Sequence, residues 1–371
     1  MDILLLTGEL IGLAKPSDKI KGRNLGLEKI ATDLGWEIAE AAITKNPRNG
    51  NQVPHYIFRT GGGGKHLAFV SHWDVVPYGK NWNTNPCFGA VKDGIIYGRG
   101  ACDMMGSIAA QLRAGKEIAA GGKTVSIFLS GDEETDSLGM PLLLEKNSLQ
   151  IDYALGGEPT GKKEAGDTIK AGRRGLVQGN IFFYGVQFHS AYVDEEKGTN
   201  LCRKIMEGGL AEIIQPYDQG NGLLPPTTMA ICLIESANEN KTYNSIPGVA
   251  KIGFDARIAS DPDTFLLELK RRLNQTMIRY RLKIKYTVSP YFIKNETFQV
   301  QVVDSIEAVL GRKPEIDCRG GFSDCRFFAE AKIPVMEVGL ENSTIHKVNE
   351  KQSIENLEKL ESIYCEIGKR I

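Results

Sequence analysis

Along this chain, apolar and β-branched runs repeatedly end in a polar or charged residue. The clearest is TVSIFLSGDEE, Thr124 to Glu134: seven residues patterned for a buried parallel strand, then Asp132, Glu133 and Glu134 in succession. LAFVS runs likewise into His72, Trp73 and Asp74, and IDYALGG into Glu158, where Pro159 bars a simple extension of the ladder. GIIYGRGACD reads as a further strand ending at Asp103, ahead of MMGSIAAQLRAGKEIAA, whose small residues suit a helix packed closely on a sheet. His55 to Thr60 and His66 to Ser71 read as strand, turn, strand about the glycines of Gly61 to Lys65. Residues up to about Ile43 carry helical patterning, with Leu25, Ile30, Leu34 and Ile38 near one face, and predict a surface helix.

From about Ala171 the pattern changes. GLVQGNIFFYG predicts a strand, residues 198–214 a helix, TTMAICLIES and VAKIGFDAR two strands, DPDTFLLELKRRLNQ a helix with an Asp start signal, and RLKIKYTVS a strand. This β-α-β-β-α-β order is complete in itself, as in ferredoxin-like domains, and predicts an inserted domain over 172–290 between a first part, 1–171, and a second, 291–371. The second part predicts a helix over 297–310, a Gly-rich turn at 320–321, a short helix from Ser323, the strand IPVMEVGL, a loop carrying His346, and a C-terminal helix over 350–370. The fold class expected is α/β.

Composition narrows the function classes. A chain of 371 residues with 42% hydrophobic and 25% charged side chains can bury a substantial core, and a net charge of -1 offers no broad basic footprint for nucleic acid or anionic membrane. No apolar run approaches membrane-spanning length and the opening residues lack a signal-peptide pattern, so a cytoplasmic location is expected. The seven cysteines show no paired-motif spacing and read as reduced thiols; Cys102, beside a candidate ligand, is kept out of the ligand set. GGGGK fails as a phosphate loop, because His66 follows the Lys and no Gly begins the motif at the required spacing.

The strand-end residues carry the chemistry. Adjacent buried carboxylates repel one another and need cations or protons nearby. A solvated acidic loop would explain DEE alone. It would not explain His72, Asp103, Glu133, Glu134 and Glu158, each expected beyond a strand, in the crevice where open α/β sheets hold ligands. With His346, two imidazoles and four carboxylates suit two zinc ions, one carboxylate bridging them; such ions acidify a shared water and polarise the carbonyl it attacks. A non-ligating Glu would move the proton to a leaving amine, which is chemistry for cleaving amides.

Those residues stand in motifs that resemble the cocatalytic zinc aminoacylases and exopeptidases typified by succinyl-diaminopimelate desuccinylase and acetylornithine deacetylase. The motifs are SHWDVVPYG (71–79), GRGACDMMG (98–106), GDEETDSLG (131–139), GGEPTG (156–161), GRRG (172–175), GVQFHSAY (185–192), NSIPG (244–248), GGFSDCRF (320–327) and TIHKVNE (344–350). The resemblance covers nearly the whole chain. It implies a zinc-exopeptidase-like catalytic domain with a mixed, mostly parallel sheet flanked by helices, and a ferredoxin-like lid and dimerisation domain. It implies His72 and Glu158 on one zinc, Glu134 and His346 on the other, Asp103 as bridge with a cis peptide to Met104, Glu133 as general base, and Asp74 orienting His72. It further implies that His189 steadies the oxyanion in the partner subunit's site of a homodimer, and that Arg173, Arg174, Tyr192, Asn244, Arg257 and Asn342 contact substrate. Cobalt or manganese would fit the same donors. Two departures are visible. Val193 replaces the proline usual after HxAY, and Phe322 stands where desuccinylases carry a small hydroxyl residue, which would favour a smaller acyl group.

The function expected is hydrolysis of an N-acyl amino acid, N-succinyl-LL-2,6-diaminopimelate first. Acetylornithine deacetylation and carboxypeptidase or dipeptidase activity are the alternatives within the family, and a non-catalytic metal- or amino-acid-binding protein is the alternative outside it.

Overall fold

The computed structural model describes all residues except 196–199, 238–241 and 322. The chain divides into two compact units: Met1–Ala171, Ile293–Asp317 and Ser323–Ile371 form one, and Gly172–Phe292 with Cys318–Phe322 the other.

The first unit is built on an eight-stranded sheet. In spatial order its strands are Glu315–Asp317, Thr168–Lys170, Val335–Glu337, Tyr153–Gly156, His66–His72, Thr124–Ser130, Gln52–Thr60 and Glu37–Lys45. The four from Val335–Glu337 to Thr124–Ser130 are mutually parallel, so their C-terminal ends open on one edge. His66–His72 and Thr124–Ser130 are buried along their whole length, as continuous apolar strands covered on both faces should be. The helix Met105–Ala120 lies close because its small residues allow it: a Cβ on Gly115 would fall 2.5 Å from the ring of Trp36.

Three local expectations are corrected. The opening residues are not one helical stretch: helices Ile3–Leu13 and Leu25–Asp33 are followed by the strand Glu37–Lys45, and Ile38 belongs to that strand. Gln52–Thr60 and His66–His72 do not pair with each other, because Thr124–Ser130 lies between them, antiparallel to the first and parallel to the second. The strand expected before Asp103, Ile95–Tyr97, is outside the main sheet and pairs with Ala90–Lys92 and Lys351–Ser353.

The second unit holds a four-stranded antiparallel sheet in the order Thr228–Ala237, Val249–Ile258, Gly175–Tyr184, Arg279–Val288. Helix Pro262–Gln275 starts at Asp261, whose carboxylate accepts from the Thr264 amide, and it buries Phe265, Leu269 and Leu273 with Val177, Ile181, Ile252 and Phe254. The helical stretch expected over 198–214 is described from Leu201, as Leu201–Lys204 and Leu210–Ile213 joined by a π-helical turn.

Candidate metal centre

The parallel strands deliver their residues to one place. His72 ends its strand, Glu133 and Glu134 follow Ser130 after a tight turn, Glu158 follows Gly156, and His346 comes from the loop beyond Val335–Glu337. Two of these approaches are close enough to need glycine. A Cβ on Gly339 would sit 1.9 Å from the Glu158 carbonyl, and one on Gly131 would sit 2.7 Å from the Pro54 carbonyl. Asp103 arrives differently, from the turn just before the helix Met105–Ala120, and its peptide to Met104 is cis.

Asp103 sits between the two histidines. Its Oδ1 is 3.2 Å from His72 Nε2 and its Oδ2 is 3.0 Å from His346 Nε2. The same nitrogen of each imidazole faces a further carboxylate: Glu158 Oε1 is 3.7 Å from His72 Nε2, and Glu134 Oε1 is 3.1 Å from His346 Nε2. Two donors on one tetrahedral zinc, each at about 2.0–2.2 Å, are separated by about 3.4 Å, so these spacings fit two cations sharing Asp103. His72, Asp103 and Glu134 offer donor atoms within 4.8 Å of one another, and so do His72, Glu133 and Glu158. Spacing alone therefore admits Glu133 as ligand or as base.

The donor set has the right chemistry as well as the right spacing. His72 Nδ1 donates to the Asp74 backbone carbonyl at 2.9 Å, which turns Nε2 toward Asp103 and Glu158. The Asp74 carboxylate is farther from the ring, 3.5 Å, and has other partners: it accepts from the Ser17 hydroxyl at 2.6 Å and from the amides of Glu133 and Glu134 at 3.2 and 3.1 Å. The carbonyl and, farther off, the carboxylate of Asp74 thus both face His72 Nδ1, and the acid also shapes the loop that presents the two glutamates.

Without cations, protons supply the positive charge. Hydrogen bonds donated to Asp103 and Glu134 hold the pKa of the His346 imidazolium up to about 10. Burial disfavours the His72 charge, yet Asp103 and Asp74 outweigh it and raise that group well above its ordinary value. Burial also opposes ionisation of Asp103, but the two imidazoles pull its carboxyl below the usual range. For Glu133, burial and then the charge of Glu158 outweigh the pull of His72 and push it well above the normal carboxylate range. These are the electrostatics of an acidic pocket that calls for cations.

Several residues at the site have no assigned chemistry in the sequence reading. Asp132 turns away from its neighbours and accepts from the amides of Leu138 and Gly139, which relieves the repulsion expected within DEE. Burial, with the charges of Asp324 and Asp74, lifts it to about 7. Asp324 accepts from Ser130 at 2.6 Å. Glu350 and Arg99 form a buried pair under the Asp103 turn. Both lie inside the motifs TIHKVNE and GRGACDMMG, and that membership was the available signal.

Of the expected substrate residues, Asn342 lies in the first unit, its amide donating to Gly161. The others lie in the second unit. There Phe188–His189 pairs antiparallel with Ser245–Ile246, and Ser190 N donates to the Asn244 carbonyl, so the GVQFHSAY and NSIPG motifs meet. Tyr192 packs edge-on to His189, with ring centroids 6.0 Å apart. Arg173 donates to the Gly321 carbonyl, Arg174 to Pro226 and Thr228, and Arg257 pairs with Asp255 at 3.0 Å. Phe322 lies outside the described residues.

Comparison with known proteins agrees with this geometry. The profile of peptidase family M20/M25/M40 matches residues 68–370. The succinyl-diaminopimelate desuccinylase of Methylocella silvestris is 35% identical over 85% of this chain and 84% of its own, and that of Afipia carboxidovorans 34% identical over 91% of each. An M20 family metallo-carboxypeptidase of Sulfolobus solfataricus has the same fold, with a TM-score of 0.74 at 20% identity over 100% of this chain and 99% of its own.

Proposed function

Because the chain belongs to peptidase family M20/M25/M40, a family of metal-dependent hydrolases, we propose that it cleaves the amide bond of an N-acyl amino acid, with N-succinyl-LL-2,6-diaminopimelate as substrate and succinate and diaminopimelate as products. The observation that carries the proposal is Asp103 with one carboxylate oxygen on each of two histidines, each histidine backed by its own glutamate. Relatives covering most of the chain and named as desuccinylases supply the substrate class.

Two zinc ions, the metal proposed here, would lower the pKa of a water and polarise the amide carbonyl. His72 and Glu158 would hold one and His346 and Glu134 the other, with Asp103 shared. Glu133, half-buried and not ion-paired with either histidine, takes the proton of the attacking water on its carboxylate and passes it to the leaving nitrogen as the C–N bond breaks. His189 donates to the developing oxyanion in the partner subunit's site, and Arg173, Arg174 and Arg257, with Tyr192, Asn244 and Asn342, hold the substrate; Arg suits its carboxylates through a two-pronged donor geometry. In this reading the second unit serves as lid and as the contact of a homodimer in the cytoplasm, and a monomer in sedimentation would remove that part. Among the described residues no helix is long and apolar enough to cross a membrane.

The test is a substrate panel on the zinc-loaded protein, with release of succinate, acetate and free amino acids measured side by side. Succinate from N-succinyl-diaminopimelate at the highest kcat/KM is the expected result. Preference for an acetylated substrate would follow if Phe322 disfavours the longer acyl group, and preference for a dipeptide would overturn the acyl assignment.

A further inference from the structure

The segments bearing Asp103 and His346 are fastened together by Arg99 and Glu350, side chains that are only 2% and 0% exposed. Glu350 Oε2 accepts from Arg99 Nη1 at 2.7 Å, while its Oε1 accepts from the backbone amides of Cys102 and Asp103 at 2.9 and 3.0 Å. Arg99 Nη1 and Nη2 also donate to backbone carbonyls, of Lys347 at 3.1 Å, Pro77 at 3.3 Å, Tyr78 at 3.4 Å and His346 at 3.5 Å, while its Nε is buried without a partner among the described residues. Pro77 and Tyr78 follow closely on His72 and Asp74. His346 itself has a left-handed backbone, φ 58°, a conformation that needs support from its surroundings in a residue other than glycine.

A buried ion pair is by itself weak evidence of a stabilising role, since desolvation offsets most of its attraction. Here, however, both partners direct their remaining hydrogen bonds to the backbone of segments that carry candidate ligands. We propose that Arg99 and Glu350 are positioning residues for the cation held by His346 and Glu134: together they fix the Asp103 turn against the His346 loop, so that Asp103 Oδ2 and His346 Nε2 converge. The site of His72 and Glu158 draws two of its donors directly from strand ends, and the pair touches that side only beyond His72, at Pro77 and Tyr78, so that site depends on it less. This inference rests on the two-cation reading above.

The experiment is titration of the metal-free protein with Co²⁺, followed by visible absorption and bound-metal analysis, for the unaltered chain, Glu350→Gln and Arg99→Lys, with thermal unfolding of each metal-free protein alongside. Glu350→Gln keeps the shape but turns an amide NH₂ toward Arg99; Arg99→Lys keeps the charge but cannot reach the same set of carbonyls. The unaltered chain is expected to bind two equivalents. Each variant is expected to bind the first within about threefold of it and the second at least about tenfold more weakly, the usual size of effect for a group that orients ligands. Arg99→Lys gives the reading if Glu350→Gln does not fold. Two equivalents bound as in the unaltered chain would overturn the proposal whatever the unfolding temperature, and so would equal weakening of both, which marks a general structural role. Fewer than two equivalents on the unaltered chain would instead remove the two-cation reading and this inference with it.

Discussion

Glu133 and His346 differ in what surrounds them, and the difference suits the roles proposed for them. Glu133 is crowded by acids and burial, so its carboxyl holds a proton readily, as a group that relays one should. Glu133→Gln is expected to retain its metal while kcat falls by about 10²- to 10⁴-fold, checked by steady-state kinetics beside metal analysis; unchanged turnover would refute the assigned base. His346 is held up to about 10 by Asp103 and Glu134, against an ordinary 6.5. In the metal-free chain its contribution to stability is complete below about pH 6.5 and lost as pH rises through about 10. Because a cation must displace that proton, zinc binding should release protons and tighten as pH rises across the same window. Calorimetry in buffers of different ionisation enthalpy measures the release; affinity independent of pH would contradict it.

At the scale of elements, the close approach of the Thr124–Ser130 strand end to its neighbours is what aims the DEE loop. A Cβ on Gly131 would meet the Pro54 carbonyl at 2.7 Å and Trp73 Nε1 at 2.8 Å. Gly131→Ala should therefore destabilise the protein by about 1–3 kcal/mol and weaken metal binding, read from the thermal midpoint and the metal titration. Wild-type behaviour in both would show that the loop tolerates the shift. The buried strands were legible because uninterrupted apolar runs have few other places to go, and their polar ends marked the ligand edge. Partner choice was not legible. Gln52–Thr60 and His66–His72 look like a hairpin across four glycines, yet Thr124–Ser130 separates them, since a period-two pattern fixes faces and not neighbours. The helical period read through Ile38 failed because a short apolar spacing also fits a half-buried strand.

For the whole molecule, the fold class and the family followed from motif order along the chain, and SHWDVVPYG, GDEETDSLG and GGEPTG each stand at the end of a strand that the parallel sheet aligns on one edge. The geometry of Asp103 was harder to see: its strand lies in a separate small sheet, and its position depends on Arg99 and Glu350, whose partners are distant in sequence. Backbone hydrogen bonds of that kind leave no periodic trace. The most direct test is anomalous diffraction from crystals of the zinc-loaded protein. Two peaks about 3.5–4 Å apart are predicted, one beside His72 and Glu158 and the other beside His346 and Glu134, with a carboxylate oxygen of Asp103 on each. A single peak, or two that do not share Asp103, would contradict the dinuclear site and the hydrolysis built on it.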